Sequence, residues 1–278
     1  MPPISRGFLN VRRRRISAAI LLLLACFALP AFTQSGAAQS ATITQAPAPA
    51  QTTPAGQPAL SGDAAPPKAA APETYRAGGK QFALPAPSSD LVEGGPDNRI
   101  VMENFVPDNN RLVAAFATPE DLAALRAGSK KTLTKYAMVE VPRKGEFAEF
   151  SAGDFKDLAD GAAQQIGVAM DSAVSEGEET FNRRMKSLEL DNLTVKLDKP
   201  VQLGTLFSRS DAIGFGMILP VTVAGTTTRM IAGVIFLRVK NRVLFAYLYG
   251  SYKDESSAQW IRKASEEWVD AILKANQE

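Results

Sequence analysis

Arg229-Met-Ile-Ala-Gly-Val-Ile-Phe-Leu-Arg-Val-Lys-Asn-Arg-Val-Leu-Phe-Ala-Tyr-Leu-Tyr-Gly-Ser-Tyr252 is the stretch that decides the fold of this 278-residue chain. It reads as two strands, Arg229 to Val239 and Val243 to Tyr252, around a Lys240-Asn241 turn. In the second strand Phe245, Tyr247 and Tyr249 alternate with Leu244, Ala246 and Leu248. Successive strand side chains point to opposite faces, so here both faces are apolar. A sheet with two apolar faces needs a cover on each.

Working outward, Leu193 to Leu197, Val201 to Phe207 and Ile213 to Val223 also have strand composition. The turn residues Asp198-Lys199-Pro200, Ser208 to Asp211 and Ala224-Gly225 lie between them, which makes the second half a meander. One cover follows it. A helix opens after Asp254-Glu-Ser-Ser and places Ala258, Ile261, Ala264, Trp268 and Ile272 on one side. The other cover precedes it, as a helical region from the capping-box-like Ser151-Ala-Gly-Asp154 to about Leu188. Its apolar positions, such as Phe155, Leu158, Ala162, Ile166 and Leu188, fall mostly three or four apart, and Gly167 and Gly177 are the points where it would break or kink. In the first half, Ile100 to Val106 and Leu112 to Phe116 read as strands around Pro107-Asp108-Asn109-Asn110. Thr118-Pro119-Glu120-Asp121 opens a short helix ended by Gly128, and Leu133 to Val141 reads as a further strand. The expected class is α+β: an antiparallel meander covered by helices on both faces, an α/β/α sandwich.

The stretch Phe236 to Gly250, with the helix end Trp268-Val-Asp-Ala-Ile-Leu-Lys-Ala-Asn276, resembles the carboxyl half of an uncharacterised family of exported bacterial proteins. Asn110 to Gly128 is similar to the first half of the same group. In element order the chain also resembles the PsbP/Mog1 type of sandwich, whose members mostly act as binding or assembly subunits. That resemblance implies a fold and a class of role, and it carries over no functional residue.

The N-terminus reads as an export signal over residues 1–33. Arg6 and Arg12 to Arg15 form a basic region, and Ile16 to Phe27 form an apolar core. Three fates fit it. Leu29-Pro30-Ala31 or Ser35-Gly36-Ala37 suits cleavage by a signal peptidase; Leu23-Leu24-Ala25-Cys26 resembles the bacterial lipobox and makes Cys26 a candidate for lipidation; Ile16 to Phe32 is just long enough for an uncleaved anchor. Each sends the folded part out of the cytoplasm, to the periplasm or beyond, and membrane contact is expected only through this segment if it is retained or lipidated. Residues 34–84 read as a linker rich in Ala, Pro, Gln and Thr, tether-like to about Pro72 and irregular from Glu73 onward, with the single domain over 85–278. The five signal arginines account for the basic balance. Of 31 Lys and Arg, 26 remain against 29 Asp and Glu, so there is no case for nucleic-acid binding.

The chain has no His, and its one Cys is Cys26. Ser-His-Asp and Cys-His catalysis are therefore excluded, as are disulfides and Cys-based metal sites in the exported part; no cofactor is expected. The remaining constellations read more simply as structure. Glu146/Glu149 and Glu176/Glu178/Glu179 lack the spacing of a calcium loop, and Ser129-Lys130-Lys131 follows a helix-ending Gly. Gly214 and Gly216 lie in a strand, where they permit a bulge or close packing of a large neighbour. Tyr252 and Trp260, at the strand end and on the outer side of the last helix, are the candidates for an exposed aromatic patch. The functional expectation is a tethered, non-catalytic binding or assembly module of the envelope, its partner a protein or a small apolar ligand. The alternative is an envelope enzyme working through carboxylates or Ser/Lys.

A fusion of residues 1–60 to a reporter active only outside the cytoplasm is predicted to be active; retention of the fusion in the cytoplasm overturns the export reading.

Overall fold

The computed structural model describes residues 73–95, 99, 102–103, 106–126, 133–187, 195–223 and 225–277. The export signal with Cys26, the tether to Pro72, Ser129-Lys130-Lys131 and the ends of some expected elements lie outside these residues. The described elements are β1 (Thr74–Ala77), β2 (Lys80–Ala83), β3 (Val92–Glu93), β4 (Asn110–Ala117), α1 (Pro119–Arg126), β5 (Lys135–Pro142) and α2 (Ala152–Ser187). They continue with β6 (Val195–Leu197), β7 (Val201–Ser208), β8 (Ala212–Val223), β9 (Thr226–Val239), β10 (Arg242–Ser251) and α3 (Glu255–Ala275).

The main sheet is antiparallel throughout, in the order β3-β4-β5-β10-β9-β8-β6, with β7 also paired to β8. The β9–β10 turn holds Lys240 at φ 47° and Asn241 at φ 60°, a left-handed pair whose twist suits a two-residue hairpin. At the centre, β10 pairs β5 from Phe245↔Glu140 to Gly250↔Lys135. Tyr136 and Tyr249 are partners in that register, and their rings stack at 4.4 Å. This seam joins segments about a hundred residues apart in the chain.

Both faces are covered, as the alternation in β10 requires. One carries Phe245, Tyr247 and Tyr249 with Phe215, Met217 and Val234, under α1 (Leu122) and α2 (Phe155, Leu158, Ala162). The other carries Leu244, Ala246 and Leu248 with Ile231 and Ile235, under α3 (Ile261, Trp268, Val269, Ile272). α3 starts at Asp254, whose carboxylate accepts from Ser256 N at 2.9 Å. It lies close because β9 has Gly233 beneath it, where a Cβ would come within 2.6 Å of Ser265 Oγ. Trp268 is 1% exposed, packs edge-on to Phe116 and donates its indole N–H to Pro85 O at 2.8 Å.

Three expectations change. The segment placed in the linker up to residue 84 contains an antiparallel hairpin, β1–β2, turned through Gly78 and Gly79 with positive φ. It is part of the domain, since Tyr75, Ala77, Phe82 and Leu84 are buried in the α3-side core and Asn276 brackets Ala83 through both its backbone N–H and its carbonyl. Met102 and Glu103, inside the expected first strand, are helical, and Arg99 and Glu103 pair at 3.7 Å across one turn, the spacing that a helix brings together. α2 runs through Gly167 and Gly177 as one 36-residue helix, about 54 Å long. Gly167 serves approach here, since a Cβ would lie 3.0 Å from Gln202 Nε2.

Trp268→Ala is predicted to lower the unfolding free energy by about 3–5 kcal/mol, measured by denaturant titration, because it removes a fully buried aromatic together with its indole hydrogen bond. An unchanged midpoint would place the residue outside the core.

Candidate functional site

Glu146 follows β5. Its carboxylate pairs with the Arg111 guanidinium and accepts from Gly78 N at 2.9 Å. The Arg111 hydrogen bonds, helped by that amide and by the Arg143 charge, hold the carboxyl below the usual glutamate range. Glu149 lies 3.1 Å from Arg242 Nη1, and Arg242 Nε donates to Gly78 O at 3.1 Å. The pair read as candidate acid–base carboxylates thus clamps the β1–β2 turn to the sheet.

One of the acids of α2 behaves alike. Glu178 accepts from Leu197 N at 2.8 Å, and Asn182 both donates to Val195 O and accepts from Val195 N, each at 3.0 Å. Together these side chains take the place of a neighbouring strand along the open edge of β6. Glu179 is exposed beside them, on a shallow groove of about 560 Å³ with Arg183 and Lys186. Asp121, buried, accepts from Thr134 N and Oγ1 at 2.9 Å each and so ties α1 to the start of β5. No group of three or more metal-binding side chains converges among the described residues.

Tyr252 and Trp260 are both half-buried. Trp260 packs onto Gly250, where a Cβ would meet its ring at 2.6 Å, and the Lys135 ammonium sits 5.1 Å from its ring centroid. Lys135 is in turn held by Asp90 at 2.7 Å. Of the two aromatics expected as an exposed patch, Trp260 therefore lies partly under a lysine held by an aspartate, and Tyr252 packs against the α3-side core.

The site that sequence reading missed is a groove of about 430 Å³ between β7 and α3, floored by Leu203, Leu206 and Ala258 and rimmed by Glu255, Gln259, Arg262, Lys263 and Glu266. Its origin is irregular pairing. The register of β7 on β8 slips between Gln202 and Gly204 and again between Thr205 and Phe207, so that Leu203 and Leu206 are each an extra residue. Gly214 and Gly216 of β8 make room: a Cβ at Gly216 would meet Leu206 at 2.7 Å, and one at Gly214 would meet Phe207 at 2.5 Å. The close packing expected of these two glycines is what the strand uses. Arg262 reaches from α3 to donate to Leu206 O, and Arg209 pairs with Asp270. An apolar floor with a rim of mixed charge can take an apolar side chain or a small apolar molecule.

The fold is similar to that of the Ran-binding protein Mog1p of Saccharomyces cerevisiae, with 10% sequence identity and a TM-score of 0.26 over 72% of this chain and 89% of that one. A mutant of protein Mog1 is similar at 11% identity and the same TM-score, over 72% and 88% of the two chains. No protein-family model matches the chain, and no curated protein matches it in sequence. The resemblance to exported bacterial proteins has no family model behind it.

Glu146 provides a pH test. Its folded pKa is depressed, so its contribution to stability is complete above the usual glutamate range, near pH 4–5, and is lost as pH falls through the lower folded value. Glu146→Gln is predicted to lower stability at neutral pH and to flatten the fall in melting temperature on acidification. A variant whose acid limb matches the wild type would remove Glu146 from the clamp.

Proposed function

We propose that this is an exported, non-catalytic binding module of the bacterial cell envelope, in the periplasm or secreted, which holds a partner protein or a small apolar ligand in the β7–α3 groove. Export rests on the basic and apolar pattern of residues 1–33. The groove itself carries the binding reading. Its leucine floor is built by two bulges in an edge strand, devices that keep such a strand from pairing with another chain while they redirect its side chains. The carboxylates an enzyme of this composition would need, Glu146, Glu149 and Glu178, are each engaged in holding two elements together. The two faces of the sheet are closed by helices and the hairpin.

Ala258→Arg tests the groove from a half-buried position on its floor, with exposed Lys156→Glu on α2 as the control. Capture from envelope extracts is predicted to fall by roughly tenfold or more with Ala258→Arg and to persist with Lys156→Glu, while both variants melt near the wild type. Equal capture by the two variants would clear the groove of any binding role.

A further inference from the structure

Four turns meet at one end of the sandwich. Gly78 N, in the β1–β2 turn, donates to Glu146 Oε1 at 2.9 Å; Phe150 N donates to Asn241 O of the β9–β10 turn at 2.9 Å; Arg143 N donates to Asn109 O of the turn before β4 at 2.8 Å. At this end Phe147 stands 71% exposed, the most exposed of the large apolar side chains described. Around it Arg76, Lys80, Arg143 and Lys144 are exposed and have no carboxylate within ion-pair distance among the described residues, and half-buried Lys240 donates to Gln81 O at 3.1 Å. The local acids are already compensated: Glu146 by Arg111, Glu149 by Arg242, Asp108 by Arg183 at 3.8 Å, and Asp154 by the Ser151 cap at the start of α2.

We propose that this end docks on an anionic phospholipid surface, with Phe147 entering the headgroup boundary and the surrounding Lys and Arg side chains reaching the phosphates. An apolar residue at a loop tip ringed by long cationic side chains is the pattern that peripheral membrane contacts use, because apolar burial and attraction to anionic lipid add. A bilayer presents negative charge over its whole plane and so meets cations on separate turns at once, whereas a protein would need a carboxylate matched to each. The chain also delivers the domain to such a surface. Its folded part begins at Thr74, about 10 Å of strand before the Gly78-Gly79 turn. Two of the three fates open to the N-terminal segment, lipidation at Cys26 and retention as an anchor, leave the domain within reach of a bilayer through residues 34–72. The proposed export bears only on which bilayer is met. The test uses vesicles, so a failure of export and a failure of docking are read separately.

The experiment labels the full chain, carrying Cys26→Ser and Phe147→Cys, with an environment-sensitive fluorophore at position 147. It is titrated with vesicles of equimolar phosphatidylglycerol and phosphatidylcholine, and with vesicles of phosphatidylcholine alone. Docking predicts a blue shift and brightening on the mixed vesicles, weakened by salt, and an apparent affinity roughly tenfold or more lower when Lys80→Glu and Lys144→Glu are added. A melting curve matching the parent shows that the charge-reversed chain is folded. Three results overturn the proposal: no spectral change on vesicles with which the chain sediments, a response of equal size on phosphatidylcholine alone, or a shift produced by soluble polyglutamate and not by the mixed vesicles, which would assign this end to an acidic protein.

Discussion

A strand apolar on both sides leaves no face for water, and β10 is such a strand. Everything else in the fold answers that constraint. Its neighbours β5 and β9 are buried along most of the length that pairs with it, and each face of the three strands is sealed by elements drawn from distant parts of the chain: α1 and α2 on one side, α3 and the β1–β2 hairpin on the other. The hydrophobic effect is without direction, so it does not choose which element covers which face. The choice is made by shape, through Gly233 under Ser265 and Gly250 under Trp260, where missing side chains let α3 settle against the sheet.

Polar groups near this core fix positions. Arg242 and Arg111 with Glu149 and Glu146 lock the hairpin turn; Asp121 locks α1; Asn182 and Glu178 stand in for a strand beside β6. Each joins elements that hydrophobic burial alone would allow to slide. Removing one partner leaves the other with an unmet charge or donor, so such contacts specify the arrangement more than they deepen its stability. The surface keeps a leucine-floored groove at one edge and an exposed phenylalanine at one end.

The sheet was legible because its signal is periodic. Alternation in β9 and β10, the Lys240-Asn241 turn and the cap at Asp254 are local patterns, and the structure keeps them. The hairpin at 74–83 had its signal too, a Gly-Gly pair between short runs, but Pro72, Pro85 and Pro87 on either side made the region look irregular. The helical turn at Met102 was hidden because the preceding Ile100 and Val101 are β-branched and favour strands, while the ion pair of Arg99 with Glu103 needs the helix to exist first. The groove had no local signal. It depends on two register slips in β7 and on a helix some fifty residues further on, and composition records neither.

The seam between β5 and β10 also orders events in time. Residues 135–142 can find their central partner only after residues 242–251 are available, and contacts of such long sequence separation form slowly because the loop between them must close first. α3, which seals the second face, follows all of the described strands in sequence. Until that helix has joined them, the strands expose apolar surface and edges open to wrong pairing. A chain cut between β10 and α3 would therefore be a candidate for aggregation or proteolysis, and the joining of this helix becomes as much a requirement of the fold as any contact within it.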